Sequence, residues 1–201
     1  MSRESAFAAK LRFRCDPFLS LSEDQVDILE SHYSLLCRWN RRMNLTTITE
    51  LGEVVERHYA ESLFAAARLP AGIASIADIG SGAGFPGLPI AAVRSDLVVV
   101  LVEANKRKAA FLREASDRLP NLRVRAVRSD EWLERVDCLV SRAVRWEDVL
   151  ARTPANAQRF LLMLGEAELQ QVLDQQGFEF ADPIRIPWGE RRFLLEGTCS
   201  T

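Results

Sequence analysis

A run of glycines behind an acidic residue is the first feature of this sequence with a clear chemical use. Asp78 is the last residue but one of the apolar run 75–79, and Gly80, Gly82, Gly84 and Gly87 follow it. Glycines allow a tight turn, adopt positive φ and let backbone N–H groups approach a ligand at the start of a helix. Glu103 ends the next apolar run, 21 residues after Gly82, where its carboxylate would accept hydrogen bonds from two ribose hydroxyls. The pattern predicts a nucleoside-containing ligand.

Two cofactor classes fit these residues. Gly82, Gly84 and Gly87 form the G-x-G-x-x-G pattern of dinucleotide-binding proteins, whereas Gly80, Gly82 and Gly84 form G-x-G-x-G directly after the acidic strand end. A carboxylate at position 78 would repel a diphosphate and attract the sulfonium and ammonium groups of S-adenosylmethionine. We therefore favour S-adenosylmethionine over NAD. A glycine turn that binds no ligand is the simplest alternative.

The elements that must position these residues alternate between apolar runs and helical patterns. We predict strands at 75–79, 97–102, 122–127, 136–141, 160–164, 178–186 and 192–196, with helices ending near 94 and spanning about 105–119 and 166–176. Repeated β-α-β units of this length imply a mostly parallel sheet with right-handed crossovers. The predicted fold class is α/β, a Rossmann-like, seven-stranded sheet with helices on both faces. Pro86 is expected at the first position of the helix after the glycines.

Two helical patterns precede the first strand. Apolar residues recur with helical spacing between Ser22 and Trp39, and Ser22 with Gln25 has the form of a capping box. A second pattern spans about 50–69 and ends before Pro70 and Gly72. We therefore divide the chain into an N-terminal helical cap, residues 1–71, and a cofactor-binding core, residues 72–201, which together form one compact unit.

Composition excludes several classes of protein. The 201 residues are 48% hydrophobic and carry a formal net charge of −2, which is typical of a globular chain and not of a disordered one. No apolar run approaches the roughly 20 residues of a membrane-spanning helix, and charged residues interrupt the N-terminus where a signal peptide would need an apolar core. The four cysteines have no metal-ligand spacing. We expect a cytoplasmic protein with free thiols and no metal site.

Five motifs in fixed order make the chain recognisable. They are Trp39-Asn40-Arg41-Arg42-Met43-Asn44-Leu45-Thr46, Arg57-His58 with Ser62-Leu63, the loop from Asp78 to Pro89, Lys106-Arg107-Lys108 with Phe111-Leu112, and Ser141-Arg142-Ala143. Together they resemble the RsmG (GidB) family over roughly residues 25–145. The resemblance implies a class I methyltransferase that uses S-adenosylmethionine to methylate N7 of a guanine in bacterial 16S rRNA. Where that family usually has Leu-Lys-Gly after the fifth strand, this chain has Met163-Leu164-Gly165.

The resemblance also implies which residues bind the cofactor. The expected set is Asp78, Gly80, Ser81, Gly82, Gly84, Phe85, Glu103, Ser129, Asp130 and Arg142. Ser129 and Asp130 have a simpler interpretation as the cap of a short helix beginning at Glu131. Arg142 is also expected to position the substrate. Attack by a neutral N7 lone pair requires no general base, so the lack of a Ser/His/Asp or Cys/His set is consistent with this reaction.

Basic clusters predict where RNA binds. The expected residues are Asn40, Arg41, Arg42, Asn44, Arg57, His58, Lys106 and Arg107. Positive charge at 106–108 opposes the dipole of the helix that begins there, which indicates either a bound phosphate or compensation by nearby acids. The expected partner is 16S rRNA within the small ribosomal subunit or its precursor, and the expected state is a monomer. The alternatives are an NAD-dependent oxidoreductase, a non-catalytic nucleotide- or RNA-binding relative, and a methyltransferase for small molecules.

Overall fold

A computed structural model describes residues 4–189 and 191–200, in which eight strands form one sheet. The strands are β1 Ser75–Ile79, β2 Val98–Val102, β3 Leu122–Arg125, β4 Cys138–Arg142, β5 Arg159–Gly165, β6 Phe178–Phe180, β7 Ile184–Arg185 and β8 Arg192–Cys199. Their order is β3-β2-β1-β4-β5-β8-β6, and β7 pairs with β8. Strands β1 to β5 are parallel and β8 is antiparallel to β5. The predicted α/β class and mostly parallel sheet are confirmed.

The predicted strand 178–186 was wrong as a single element. It is divided into β6 and β7 by residues 181–183, which lie outside any strand. Pro183 has no backbone N–H to donate to the sheet, so the strand pairing is interrupted there. The described part of the chain therefore has eight strands instead of the predicted seven.

The helices and turns complete the two faces of the sheet. They are α1 Ala6–Cys15, α2 Glu23–Asn40, α3 Leu51–Val54, a π-helical turn Val55–Ala60, α4 Glu61–Ala66, α5 Gly87–Val93, α6 Lys106–Ala115, α7 Trp146–Asn156 and α8 Glu166–Leu173. The Ser22–Gln25 capping box is present as predicted. Helices α1 and α7 were not predicted, and α7 contains Pro154, which breaks the usual helical pattern.

Two helix-boundary predictions were wrong. Pro86 is the N-cap of α5 and not its first residue, because the chain is still in the glycine turn at that point. Residues 129–131 form a turn, so Ser129 and Asp130 cap no helix. Asp130 instead accepts a hydrogen bond from Nε of Arg128 at 3.0 Å.

The sheet buries alternate residues on its two faces. Ile76, Val99 and Leu161 face one hydrophobic cluster, which also contains the buried side chains of the N-terminal helices. Ala77 and Val100 face a second cluster, formed with α7 and α8. Because side chains alternate along a strand, one apolar run supplies both faces. The N-terminal helices contact α5 and α6 and share the first cluster with the sheet; the division between residues 71 and 72 remains a prediction.

Within residues 4–189 and 191–200, no helix is both long and apolar enough to cross a membrane.

Candidate active site

The glycine loop, residues 78–87, turns at the carboxyl end of β1. Gly80, Gly82 and Gly84 all have positive φ, of 71°, 57° and 93°. The N–H groups of Gly80 and Ser81 both donate to the carbonyl of Val102, at 2.9 and 3.2 Å, which ties the loop to the end of β2. A side chain at position 80 would also collide with Val144. The backbone conformation therefore requires glycine, as the sequence predicted.

Glu103 joins the loop to the next helix. One carboxylate oxygen accepts the N–H of Gly82 at 2.8 Å, and the other accepts the N–H of Asn105 at 2.7 Å. The side chain of Asn105 in turn caps α6. Each carboxylate oxygen can accept a further hydrogen bond. The structure thus fixes an acidic group beside the loop, where the sequence predicted a ribose-binding acid.

Asp78 is a buried acid with one oxygen left unpaired. Its Oδ2 accepts the N–H of Gly87 at 2.9 Å, while Oδ1 has no hydrogen-bond partner among the described residues. Burial raises the pKa of Asp78 to about 7, opposed by the hydrogen bond from Gly87 and by the charge of Arg142. A cation bound at the loop would favour the ionised form. This fits the cationic cofactor predicted from the sequence better than it fits a diphosphate.

Two buried side chains from the N-terminal helices, His32 and Tyr59, support the glycine loop through hydrogen bonds. Nε2 of His32 lies 3.1 Å from the carbonyl of Ala83, and Nδ1 lies 2.9 Å from the hydroxyl of Tyr59. The arrangement requires neutral His32 with Nε2 protonated, and burial lowers its pKa to about 4. Neither residue was predicted from the sequence to belong to the site. Only their position among the apolar residues of amphipathic helices distinguished them, and that position equally describes core residues.

Arg142 and His58 form a second unit at the carboxyl end of β4. The Arg142 guanidinium donates to the carbonyl of Arg57 at 2.5 Å and to Nδ1 of His58 at 3.0 Å, and its carbon lies 5.3 Å from the Phe85 ring centre. His58 is stacked on Phe85, with the ring centres 4.7 Å apart. The structure therefore brings Phe85 and Arg142 together, as expected of one site.

His58 was predicted to bind RNA, but both nitrogens of its ring form hydrogen bonds within the protein. Its Nε2 hydrogen bonds with the hydroxyl of Thr46 at 2.8 Å, and the side chain is buried. Burial, followed by the charge of Arg142, lowers the pKa of His58 to about 3, so the ring is neutral at physiological pH. His58 orients Arg142 and has no free nitrogen for a phosphate.

A cavity opens beside Arg142, between the ends of β4 and β5 and the N-terminal helices. We call it the Arg142 cavity; it has a volume of about 350 Å³ and is lined by Arg57, His58, Glu61, Arg142, Leu164, Arg192 and their neighbours. Leu164, which replaces the lysine usual in the family, lies on its apolar side. The pKa of Glu61 is raised to about 7 by burial, opposed by the charge of Arg192. Sequence analysis singled out neither Glu61 nor Arg192.

The predicted basic residues are divided between this cavity and a separate surface. That surface, which we call the basic groove, is lined by Arg38, Trp39, Arg41, Arg42, Met43, Arg107 and Glu114 and encloses about 590 Å³. Glu114 pairs with Arg38 at 3.0 Å and accepts the indole N–H of Trp39 at 3.0 Å. Among the described residues, no acidic side chain pairs with Arg41, Arg42 or Arg107 within 4 Å. Lys106 is exposed beside the groove.

Asn40 does not contribute a free amide to that surface. Its Oδ1 accepts the N–H groups of Leu45 and Thr46 at 2.8 and 3.1 Å, and its Nδ2 donates to the Thr46 carbonyl at 2.9 Å. These bonds order the loop that carries Arg41, Arg42 and Asn44, and RNA binding by Asn40 itself stays a prediction. Asn44 itself is exposed. Within the described ranges, no group of three potential metal ligands comes together.

Comparison with known proteins matches this chain to one family. The family model for "rRNA small subunit methyltransferase G" matches residues 25–181. The ribosomal RNA small subunit methyltransferase G of Anaeromyxobacter dehalogenans strain 2CP-C is 41% identical over 163 residues, covering 75% of this chain and 74% of the relative. Its counterpart in Dichelobacter nodosus is 41% identical over 180 residues, covering 83% and 82%.

Solved structures share the fold at much lower sequence identity. The magnesium protoporphyrin IX methyltransferase of Synechocystis PCC 6803, solved with bound S-adenosylmethionine, has a TM-score of 0.62 at 14% identity and covers 90% of this chain and 99% of that one. The ribosomal protein L11 methylase of Lactobacillus delbrueckii subsp. bulgaricus has a TM-score of 0.57 at 13% identity, covering 72% and 80%. The predicted class I methyltransferase fold is confirmed.

The predicted enzyme class, an rRNA methyltransferase that uses S-adenosylmethionine, is confirmed by the family match. The reaction that the resemblance implied, methylation of N7 of a guanine in 16S rRNA, is the activity known for this family. The chain belongs to the family of rRNA small subunit methyltransferase G.

Proposed function

We propose that this protein transfers the methyl group of S-adenosylmethionine to N7 of a guanine in 16S rRNA, with the guanine seated in the Arg142 cavity. The observation that carries the proposal is that the glycine loop and the Arg142 cavity lie at the same edge of the sheet. The glycine loop with its acids Asp78 and Glu103, and the cavity with Arg142, both lie at the carboxyl ends of neighbouring parallel strands. In sheets of this kind, ligands bind at that edge. A methyl donor on one side and a base on the other would meet near Phe85.

The cofactor would be held mainly by the first two strand ends. Glu103 would accept hydrogen bonds from the ribose hydroxyls while keeping those from Gly82 and Asn105. Asp78, with its unpaired Oδ1, would favour the cationic part of the cofactor through the loop it supports. The remaining expected residues lie in two loops: Gly80, Ser81, Gly84 and Phe85 in the glycine loop, and Ser129 and Asp130 in the turn after β3, the strand beside β2. When bound, the cofactor supplies an electrophilic methyl group.

The protein's chemical task is positioning. The N7 lone pair attacks the methyl group without prior loss of a proton. The reaction therefore needs no general base, provided that the protein holds N7 in line with the S–CH₃ bond. Correct placement of two reactants contributes up to about 7–11 kcal/mol to catalysis. Arg142 is suited to this role, because His58 and the Arg57 carbonyl fix its guanidinium in one orientation. It would hold a phosphate or a base edge of the target nucleotide at the mouth of the cavity.

The basic groove would bind the RNA backbone. Arg41, Arg42 and Arg107 are exposed cations on one surface, and contacts of this kind provide affinity without reading sequence. A protein with a net charge of −2 has little general attraction for RNA, so a local surface must provide it. We propose that the substrate is the small ribosomal subunit or its precursor, bound by a monomer in the cytoplasm, with the groove formed between the cap, 1–71, and the core, 72–201.

Methyl transfer to purified small subunits tests this function. Subunits from cells that lack the enzyme would be incubated with tritiated S-adenosylmethionine, and the 16S rRNA would then be cleaved chemically at 7-methylguanosine. We expect one labelled site, cleaved at a guanine, and no label with Arg142→Ala. Label at another atom would refute the N7 assignment. Cofactor binding without transfer to subunits, precursors or naked RNA would instead indicate a non-catalytic relative.

A further inference from the structure

The Arg142 cavity is lined by the buried carboxylate of Glu61 and the half-buried guanidinium of Arg192, which pair with each other. The side chain of Glu61 is 3% exposed, and its Oε1 lies 2.6 Å from Nη2 of Arg192. Within the described ranges, Oε1 of Glu61 and Nε of Arg192 have no hydrogen-bond partner with suitable angles. Both residues line the cavity. A buried ion pair whose hydrogen bonds are incomplete is costly, so its place in the lining of an open cavity points to a polar ligand.

The two side chains have complementary chemistry. A carboxylate accepts hydrogen bonds and a guanidinium donates them. Guanine presents one acceptor, O6, next to two donor groups, N1–H and N2–H₂, along its Watson–Crick edge. Its N7 lies on the opposite, Hoogsteen side of the ring. A base gripped by its Watson–Crick edge would therefore leave the N7 lone pair unobstructed.

We propose that Glu61 and Arg192 read the guanine, with Glu61 accepting from N1–H and N2–H₂ and Arg192 donating to O6. This inference rests on the proposed function and deepens it, because it identifies what selects the base. Adenine presents an acceptor at N1 and a donor at its 6-amino group, so it would place donor against donor and acceptor against acceptor. Adenine also carries an N7 lone pair at the same place on its ring, so the cavity must distinguish the two bases.

The same contact would assist the reaction. The N7 lone pair forms the N–CH₃ bond while the S–CH₃ bond breaks and its electron pair stays on sulfur. The positive charge therefore moves from the sulfonium to the base, leaving neutral S-adenosylhomocysteine. A carboxylate bonded to N1–H is attracted more strongly as that charge develops, so Glu61 would stabilise the transition state more than the ground state.

A base-substitution experiment tests this assignment. Small subunits would be reconstituted with 16S rRNA that carries either guanine or inosine at the methylated position, because inosine lacks only the 2-amino group. Single-turnover transfer would be measured with saturating S-adenosylmethionine. We expect the wild-type protein to methylate guanine about 10- to 100-fold faster than inosine, the value of one hydrogen bond to a charged group. Glu61→Leu should be slower on guanine and should treat the two bases alike within about twofold.

Glu56→Leu is the matched control, since Glu56 lies on the same helical segment and pairs with Arg14 on the other side; it should keep the wild-type preference. If Glu61→Leu fails to fold because Arg192 is left unpaired, Glu61→Leu/Arg192→Met removes both charges and should also lose the preference. A wild-type protein without preference for guanine, or a folded variant that retains it, would overturn the assignment while methylation itself stands. No transfer to guanine by the wild type would refute the proposed function, and this assignment with it.

Discussion

The glycine loop and the basic groove lie on either side of α6 but are built in different ways. The loop consists of backbone groups and buried acids: three glycines with positive φ, the fully buried Asp78, and Glu103 with both oxygens bonded to backbone N–H groups. The groove is lined mainly by exposed arginines. Arg38 forms an ion pair with Glu114, and among the described residues the other arginines of the groove have no acidic partner within 4 Å. A site made of backbone and buried charge is rigid, whereas exposed arginines lose conformational entropy when they bind.

The two regions therefore control different properties, the orientation of the cofactor and the affinity for RNA. Fixed dipoles aimed at a small molecule determine its orientation, and orientation determines the rate of transfer. Exposed cations determine how tightly a polyanion is bound, and this binding weakens with salt. A substitution in the loop should therefore reduce cofactor affinity strongly. A substitution in the groove should reduce RNA affinity by a small amount for each charge removed.

The largest effect is expected for Glu103→Gln. The substitution replaces one acceptor oxygen by an NH₂ group that cannot accept from Gly82 or Asn105, and it weakens the contact to the ribose. A hydrogen bond to a charged group contributes about 1.5–3 kcal/mol, so the dissociation constant for S-adenosylmethionine should rise about 10- to 150-fold. Isothermal titration calorimetry measures this. The exposed Glu166→Gln is the control, and an unchanged affinity for Glu103→Gln would exclude it as a cofactor ligand.

Asp78→Asn should change how stability depends on pH. The folded-state pKa of Asp78 is about 7 against an ordinary value of 3.8, so the folded protein retains a proton that the unfolded chain has lost. The acid therefore destabilises the fold progressively as pH rises from about 4 to about 7. Relative to Asp78→Asn, the wild-type free energy of unfolding should fall by up to about 3 kcal/mol over that range.

Urea denaturation at pH 5 and pH 8 measures the difference, and subtracting the variant removes effects of other groups. The same variant should bind S-adenosylmethionine about 10-fold less tightly, because the buried charge that favours a cation is gone. Asp96→Asn, in the exposed turn after α5, should show neither change. A pH-independent difference between wild type and Asp78→Asn would mean that Asp78 is ionised throughout.

Tyr59→Phe should weaken the support behind the loop by a smaller amount. The hydroxyl is the partner of Nδ1 of His32, and its loss leaves that buried nitrogen unpaired. The expected cost is about 1–3 kcal/mol in the free energy of unfolding, with several-fold weaker cofactor binding. Thermal melting and calorimetry measure both. Tyr33→Phe, at a half-buried ring that stacks on Phe7, is the control and should change stability by less than about 0.5 kcal/mol; equal effects of the two would remove the hydroxyl's special role.

The smallest effect is expected for Lys106→Gln/Arg107→Gln. The cations begin α6, where they oppose the helix dipole, and no acid lies in its first turn. Removing them should raise the free energy of unfolding by about 0.3–1 kcal/mol per charge at low salt. Affinity for small subunits should fall several-fold, and its salt dependence should become shallower. Arg135→Gln/Arg185→Gln, outside the groove, is the charge-matched control; unchanged subunit affinity in the test variant would remove this turn from the RNA interface.

The sequence predicts the loop far better than the cavity, for a physical reason. Glycines at 80, 82 and 84 are required by local backbone geometry, and Glu103 follows one strand later at a fixed spacing, so both leave a signature in the chain. Glu61 and Arg192 are 131 residues apart and meet only because β8 folds back beside β5. Asn40 and His58 were predicted to bind RNA from their residue types, and only the structure shows their bonds to Thr46.

The most direct test of the separation between the two regions is a titration of three proteins with both ligands. Wild type, Glu103→Gln and Lys106→Gln/Arg107→Gln would each be titrated with S-adenosylhomocysteine and, separately, with small ribosomal subunits. The account predicts that Glu103→Gln loses the nucleoside and binds subunits normally, while the double variant binds the nucleoside normally and subunits several-fold more weakly. Loss of both ligands in either folded variant would contradict it.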